Sequence, residues 1–303
     1  MEIKDVTKTF TSHQLFFSST NKKIIAVNNI SLKISKGLSL GIVGESGSGK
    51  TTLARLIANI LKPDKGVIFY KGKDIASMGN EYPLYRKNVQ MIFQNPYSSL
   101  NPRITVFSLL RDGIDKHITK NRKKIKKICE DLMCQVGMEQ EHLFRYPHEF
   151  SGGQKQRISI ARALSLNPEI IIADEPVSAL DVSIQAQILN LMKRLILEHN
   201  KTVILISHDL AVVNFLCEYI MIVFKGVVLE HGNNNEIFAN PAHPYTKNLL
   251  EASVKKNIKK EEFNNVGPCP FVRYCRHFNN KCVDKIKMVK LSDSHFVRCT
   301  MFY

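Results

Sequence analysis

The chain has 303 residues, 44% of them apolar, enough for one large domain plus an appendage at the ~100–200 residues of a usual domain. No apolar run approaches the ~18 residues that span a bilayer, and the opening Met1-Glu2-Ile3-Lys4-Asp5 has no signal-peptide pattern, so a soluble, cytosolic protein is expected. The formal net charge is +16, from 43 basic and 27 acidic residues; it admits nucleic acid, an anionic membrane surface or anionic ligands as partners and selects none of them.

Residues 24–34 alternate apolar and polar side chains (Ile24, Ala26, Ile30, Leu32, Ile34), which predicts a strand, and Lys36-Gly37 predicts a turn. Phe10, Phe16 and Phe17 nearby either stack on a purine or serve as core or loop aromatics. Residues 38–43 are apolar and β-prone, and Leu53, Leu56, Ile57 and Ile60 recur at helical spacing. Between them lies Gly44-Glu45-Ser46-Gly47-Ser48-Gly49-Lys50-Thr51, which reads G-x-x-x-x-G-K-[ST] in a strand–loop–helix setting. Its glycines let successive backbone N–H groups turn toward phosphate oxygens, and the helix N-terminus adds partial positive charge. Lys50 brings a full charge to the outer phosphates, and the Thr51 hydroxyl is placed to ligand Mg²⁺. The nine residues 44–52, Thr52 included, are the nucleotide-binding candidates; the competing reading is a Gly/Ser turn before an ordinary helix.

Residues 67–70 continue a β-rich opening layer. Val89-Gln90-Met91-Ile92-Phe93-Gln94 is a short apolar strand ending in an amide that can reach a metal or water at a phosphate site, or simply ends a strand. Residues 100–150 are helical in pattern and strongly charged, with Ile125, Ile128, Leu132, Met133 and Val136 at helical spacing. Within them Lys116, Lys120, Arg122, Lys123, Lys124, Lys126 and Lys127 occur without an acid, as a solvated helix face or as a surface near anionic lipid heads. Ser151-Gly152-Gly153-Gln154 then opens a helix, as an anion site or as an ordinary cap. Ile170-Ile171-Ile172-Ala173-Asp174-Glu175 is an unbroken apolar run ending in two acids, the pattern of a central parallel strand. Carboxylates at such a strand end lie where open α/β sheets bind ligands; Asp174 can hold the hydration shell of Mg²⁺ and Glu175 can polarise an attacking water. Residues 202–206 form another such strand ending at Ser207-His208-Asp209, where His208 either senses a γ-phosphate or is a hydrogen-bonded structural residue. Residues 219–231 predict two more strands around Lys225-Gly226.

The phosphate loop, Gln94, Ser151-Gly152-Gly153-Gln154, Asp174-Glu175, Ser178-Ala179-Leu180-Asp181 and His208 stand in the order found in ATP-binding-cassette (ABC) ATPases, so residues 1–250 resemble that family on six separate motifs. Tyr146-Pro147-His148-Glu149-Phe150, Gln94-Asn95-Pro96-Tyr97-Ser98-Ser99-Leu100 and Asn240-Pro241-Ala242-His243-Pro244-Tyr245-Thr246 further resemble the oligopeptide/dipeptide importer branch, and within it the F-type ATPase subunit. Phe150 departs from the Leu that usually begins the family's signature. The resemblance implies an α/β P-loop NTPase cassette: a RecA-like parallel sheet core, an antiparallel β layer and a helical subdomain. Residues 1–250 would form the ATPase domain, with a helical insert at about 95–165, and residues 251–303 a small Cys-rich extension. It implies two cassettes closing head to tail around two ATP molecules. Lys50, Thr51 and Asp174 would hold nucleotide and Mg²⁺, Gln94 would bridge Mg²⁺ and the transport subunits, and Glu175 would activate water. His208 would contact the γ-phosphate, while Ser151, Gly152, Gly153, Gln154 and Asp181 would serve the nucleotide interface with the partner. The partners implied are a D-type ABC ATPase, two membrane permease subunits and, indirectly, an extracytoplasmic substrate-binding protein, at the cytoplasmic face of the membrane. Importers of nickel or glutathione use similar ATPases, and a soluble ABC ATPase acting on nucleic acid is the rival of another class; the importer-like motifs argue against nucleic acid.

Cys269, Cys275, Cys282 and Cys299 crowd the C-terminus with five, six and sixteen residues between them, not a C-x-x-C zinc pairing. Disulfides are not expected in a cytosolic chain, and so small a tail is expected to need a metal for want of its own core. Four thiolates suit a [4Fe–4S] cluster or Zn²⁺. The segment from Gly267-Pro268-Cys269 resembles the C-terminal cysteine motif of peptide-importer ATPases, some of which carry a [4Fe–4S] cluster, although Tyr274 stands where Arg usually precedes the second Cys.

Overall fold

The computed structural model describes residues 1–12, 22–95, 100–178, 180–252, 269–284 and 286–302. In chain order come strands β1 (Glu2–Ser12), β2 (Lys22–Lys33) and β3 (Ser39–Val43), helix α1 (Lys50–Ile57), and strands β4 (Lys65–Tyr70) and β5 (Lys73–Asp74). Next are α2 (Tyr82–Asn88), β6 (Val89–Ile92), α3 (Val106–His117), α4 (Arg122–Gln135), α5 (Gly152–Leu164), β7 (Ile170–Asp174) and α6 (Val182–His199). The chain continues through β8 (Thr202–Ser207), α7 (Leu210–Leu216), β9 (Tyr219–Phe224), β10 (Val227–Asn233), α8 (Asn234–Ala239), α9 (Pro244–Ala252), β11 (Val289–Lys290) and β12 (His295–Val297). Phe16 and Phe17, residues 96–99, Ala179 and the Gly267-Pro268 start of the cysteine motif lie outside the described residues. Among the described residues no helix is long and apolar enough to cross a membrane.

The chain divides into two compact units, Met1–Ser77 with Leu205–Tyr303, and Met78–Ile204. The first unit holds an antiparallel sheet in the order β2-β1-β4-β5. It also holds β11, β12, β10, β9 and β3 side by side, with β3 and β9 parallel and the other pairs antiparallel. Every residue of β3 is buried, because a parallel strand is covered on both faces and needs apolar side chains on each. Helix α7 lies so close beneath it that a Cβ on Gly41 would stand 2.3 Å from Val213 Cγ1. Leu53, Leu56 and Ile57 of α1 are buried, one apolar stripe at helical spacing, each contributing about 1.5–3 kcal/mol by leaving water.

In the second unit β6 and β7 pair in parallel, Ile92 opposite Ala173. The charged stretch forms α3 and α4 as expected. Thr105 caps α3 by accepting from Ser108 N at 3.4 Å, and Asn121 caps α4 by accepting from Lys124 N at 3.1 Å. Ile125, Cys129, Leu132 and Met133 are the buried stripe of α4. Its basic residues are exposed, and Lys126 and Lys127 pair at i,i+4 with Glu130 and Asp131, as a solvated face does.

The C-terminal extension lies within the first unit. Its β12 pairs with β10, Gly232 opposite His295, and Val297 and Cys299 pack with Ala242. Phe271 is buried against Phe224 and Tyr245. The expectation that so small a tail must organise itself around a metal therefore has an alternative in the structure: the tail packs into the core of its unit.

Candidate functional site

The phosphate loop leaves the C-terminal end of β3 and enters α1, as its motif requires. Glycine is needed at Gly44, where a Cβ would stand 2.0 Å from Val223 O, and at Gly49, where φ is +101° and a Cβ would stand 1.9 Å from Ala26 O. The Gly226 N–H donates to Ser48 O at 2.8 Å, tying the loop to the β9–β10 turn. Lys50 is 5% exposed, and its ammonium donates to Gly44 O and Glu45 O, both at 2.7 Å. Thr51 and Thr52 follow in the first turn of α1, half-buried. His208, also of the first unit, is exposed one residue beyond β8, and Asp209 beside it caps α7 by accepting from Ala211 N at 2.8 Å. Phe10 is exposed, with the Lys8 ammonium 5.9 Å from its ring centroid.

In the second unit the parallel register of β6 and β7 brings their C-terminal ends side by side. Gln94, two residues past Ile92, donates from Nε2 to Glu175 Oε2 at 2.9 Å. Asp174 is 3% exposed at the last position of β7. Glu175 turns out of the strand with φ +45°, a left-handed conformation that a side-chain-bearing residue rarely adopts. Ser178 Oγ donates to Glu175 O at 3.2 Å and braces this turn. Such backbone strain concentrates where geometry serves a function.

Ser151 is the N-cap of α5. Its Oγ accepts from Gln154 N at 3.3 Å, and Gln154 Oε1 accepts from Ser151 N at 3.0 Å, a reciprocal capping box. The hydroxyl thereby acts as acceptor inside the chain and keeps its proton as a donor to an incoming oxygen. Gly152 is half-buried and Gly153 is buried against Ile184 of α6. Asp181 is the exposed N-cap of α6.

The four C-terminal cysteines share one neighbourhood: burial, joined by the charges of Cys275, Cys282 and Cys299, pushes the Cys269 thiol up to about 11. Cys275 and Cys299 are raised for the same reasons. Cys282 Sγ lies 3.0 Å from Thr300 Oγ1, and Cys269 Sγ lies 3.9 Å from His243 Nε2. Among the described residues no group of three or more His, Cys, Asp or Glu is arranged to hold a metal ion. The thiols are close enough to feel one another yet do not fit a ligand set. One contact of the phosphate loop has no counterpart in its motif: the Glu45 N–H donates to Tyr245 Oη at 3.0 Å. Only the aromatic in Asn240-Pro241-Ala242-His243-Pro244-Tyr245-Thr246 hints at it, and spacing cannot join residues so far apart.

Residues 27–178 match the family model described as ABC transporter. The chain is 42% identical over its whole length to the oligopeptide transport ATP-binding protein AppF of Bacillus subtilis (strain 168), covering 97% of that protein. It is 43% identical over 98% of its length to the oligopeptide transport ATP-binding protein OppF of Streptococcus pyogenes serotype M1, covering 94% of that protein. Its fold is similar to the ATP-binding cassette MJ0796, solved as a dimer in a post-hydrolysis state with ADP and Pi, with a TM-score of 0.68 and 30% identity across 77% of this chain and 98% of that one.

Proposed function

The chain belongs to the ABC transporter family, and from that premise we propose that it is the ATP-hydrolysing subunit that powers import of oligopeptides and dipeptides. The observation that carries this reading is similarity along the entire chain, extension included, to oligopeptide transport ATP-binding proteins. ABC ATPases couple hydrolysis to transport, and importer cassettes dimerise and work with membrane permease subunits. For this chain the partners proposed are a D-type ATPase and two permeases at the cytoplasmic face of the membrane, fed by a substrate-binding protein.

Phosphoryl transfer asks a protein mainly to position groups and neutralise charge. In the proposed division of labour Lys50 and the loop N–H groups bind the outer phosphates. Thr51, Asp174 and Gln94 would hold Mg²⁺, which would supply charge neutralisation during phosphoryl transfer. Glu175 accepts the proton of the attacking water, and Gln94, already bonded to that carboxylate, orients it. His208 donates to the γ-phosphate. Ser151, Gly152, Gly153 and Gln154, with Asp181, act on the partner's nucleotide.

The test is nucleotide binding followed by reconstitution. Full-length protein should bind MgATP, and Lys50→Ala should lose that binding. Hydrolysis by the isolated chain should be slow and should rise roughly 10²-fold or more when the partner supplies the facing donors, the usual effect of one anion-stabilising donor. Stimulation by DNA in place of membrane subunits would redirect the reading to nucleic acid.

A further inference from the structure

The backbone of Glu45 in the phosphate loop is held at both its N–H and its carbonyl. Its N–H donates to Tyr245 Oη at 3.0 Å, from a residue 200 positions along the chain. Its carbonyl accepts from Lys50 Nζ at 2.7 Å. A rotation of this residue therefore moves the acceptor that locates the lysine.

Tyr245 is in turn fixed by the C-terminal extension. It is 2% exposed, and the rings of Phe224 and Phe271 stand 4.7 and 5.3 Å from its own. Burial holds its phenol above the usual range, so the hydroxyl is neutral. Its backbone N–H donates to His243 Nδ1 at 3.0 Å, which assigns the imidazole proton to Nε2, the nitrogen 3.9 Å from Cys269 Sγ. Just before α9, the fully buried Glu230 carboxylate accepts from Ala242 N and His243 N, both at 2.8 Å, and His295 Nε2 lies 2.7 Å from the same group. Cys269, Phe271 and His295 of the extension thus surround the segment that presents Tyr245 to the loop.

We propose that Tyr245 is a positioning residue for nucleotide binding: it orients Glu45 and so Lys50, and residues 269–302 influence nucleotide affinity by holding Tyr245 in place. The inference rests on the ATPase reading above and deepens it, since it assigns the extension a task at the phosphate loop.

The test uses full-length protein and MgATP. Tyr245→Phe keeps the ring and its packing and removes the acceptor of the Glu45 N–H. One hydrogen bond of ordinary net strength corresponds to about a two- to tenfold change in affinity. The dissociation constant for MgATP should rise by that factor. In the reconstituted ATPase the KM should rise with it while kcat holds within about twofold, the pattern of lost uniform binding. Phe271→Leu should weaken MgATP about twofold in the wild-type background and have no further effect on top of Tyr245→Phe. Wild-type affinity in Tyr245→Phe overturns the proposal. So does equal weakening by Phe271→Leu in both backgrounds, or a fall in kcat with KM unchanged. Should Tyr245→Phe fail to fold, Phe271→Leu decides alone: unchanged MgATP affinity with an unchanged melting temperature overturns it. Failure of the wild-type protein to bind MgATP removes the ATPase reading and this inference together, whereas wild-type affinity in the variants removes only the inference.

Discussion

Glu175 combines two properties that seldom coincide: a left-handed backbone at φ +45° and a side chain hydrogen-bonded to Gln94. The backbone turn aims the carboxylate, and the amide limits its rotation. Replacing it with Gln keeps size and hydrogen-bonding reach and removes only the basicity. Glu175→Gln should therefore bind MgATP as the wild type does and lose about 10²-fold or more in turnover, the usual worth of a general base; steady-state hydrolysis at the wild-type rate would remove Glu175 from that role. A second residue-scale effect concerns stability. Burial, with the nearby His295, lowers the pKa of His231 from 6.5 to about 4. Tyr219 Oη lies 2.8 Å from its Nδ1, and the Phe296 ring stacks 4.8 Å away. Below 6.5 the unfolded chain takes up a proton here that the folded chain refuses. The contribution is thus full at neutral pH and drains away as pH falls from 6.5 toward 4, by roughly 3 kcal/mol at the low end. Denaturant unfolding at pH 7 and pH 5 should show about 2 kcal/mol of that loss, and His231→Gln should shrink it.

At the scale of elements, the strands that lead into the proposed site residues are the ones patterning identifies best. β3, β7 and β8 are buried along their whole length, so each reads as an unbroken apolar run with polar residues at its end. Removing one side chain from such a strand leaves a cavity that neighbours on both faces cannot fill. Ile172→Ala, at a fully buried position, should cost about 2–5 kcal/mol in urea unfolding. Because parallel strands share a direction, residues just past their ends gather without any further signal, which is why Gln94 and Glu175 were both legible and do meet. β11 and β12 were not legible. They span Val289–Lys290 and His295–Val297, too short for an alternating pattern; β12 depends on β10 for its hydrogen bonds, and β11 on β12. The Tyr245–Glu45 contact was invisible for a related reason: its geometry comes from tertiary packing, not local periodicity. For the cysteines, four thiols crowded into a small tail suggested a ligand set, which the structure does not arrange among the described residues; packing stabilises the tail instead, since Phe271 and Val297 are buried in the core of the first unit.

At the scale of the whole molecule, that shared core makes a concrete expectation. Truncation after residue 252 would remove Phe271 and Val297, each worth about 1.5–3 kcal/mol of burial, and strip the partner strand from β10. The truncated chain should unfold at a lower denaturant concentration by about 3 kcal/mol or more, with the m-value reporting the smaller folded surface; a stability equal to the full chain would show that the extension is an independent module. The division into Met1–Ser77 with Leu205–Tyr303, and Met78–Ile204, has a further consequence in time. A ribosome makes the first piece of one unit, then all of the other, and only then the remainder of the first. Residues 78–204 can condense once the last of them emerges, because the unit is one unbroken stretch of chain. The segment bearing the phosphate loop must instead wait, with its apolar strands exposed, for residues 205–303 to be synthesised. Domains form in the order in which their parts become available, so on the nascent chain Asp174 and Glu175 would find their place before Lys50 does. Chaperone demand during synthesis should accordingly fall on the amino-terminal residues, the first to be made and among the last to be covered.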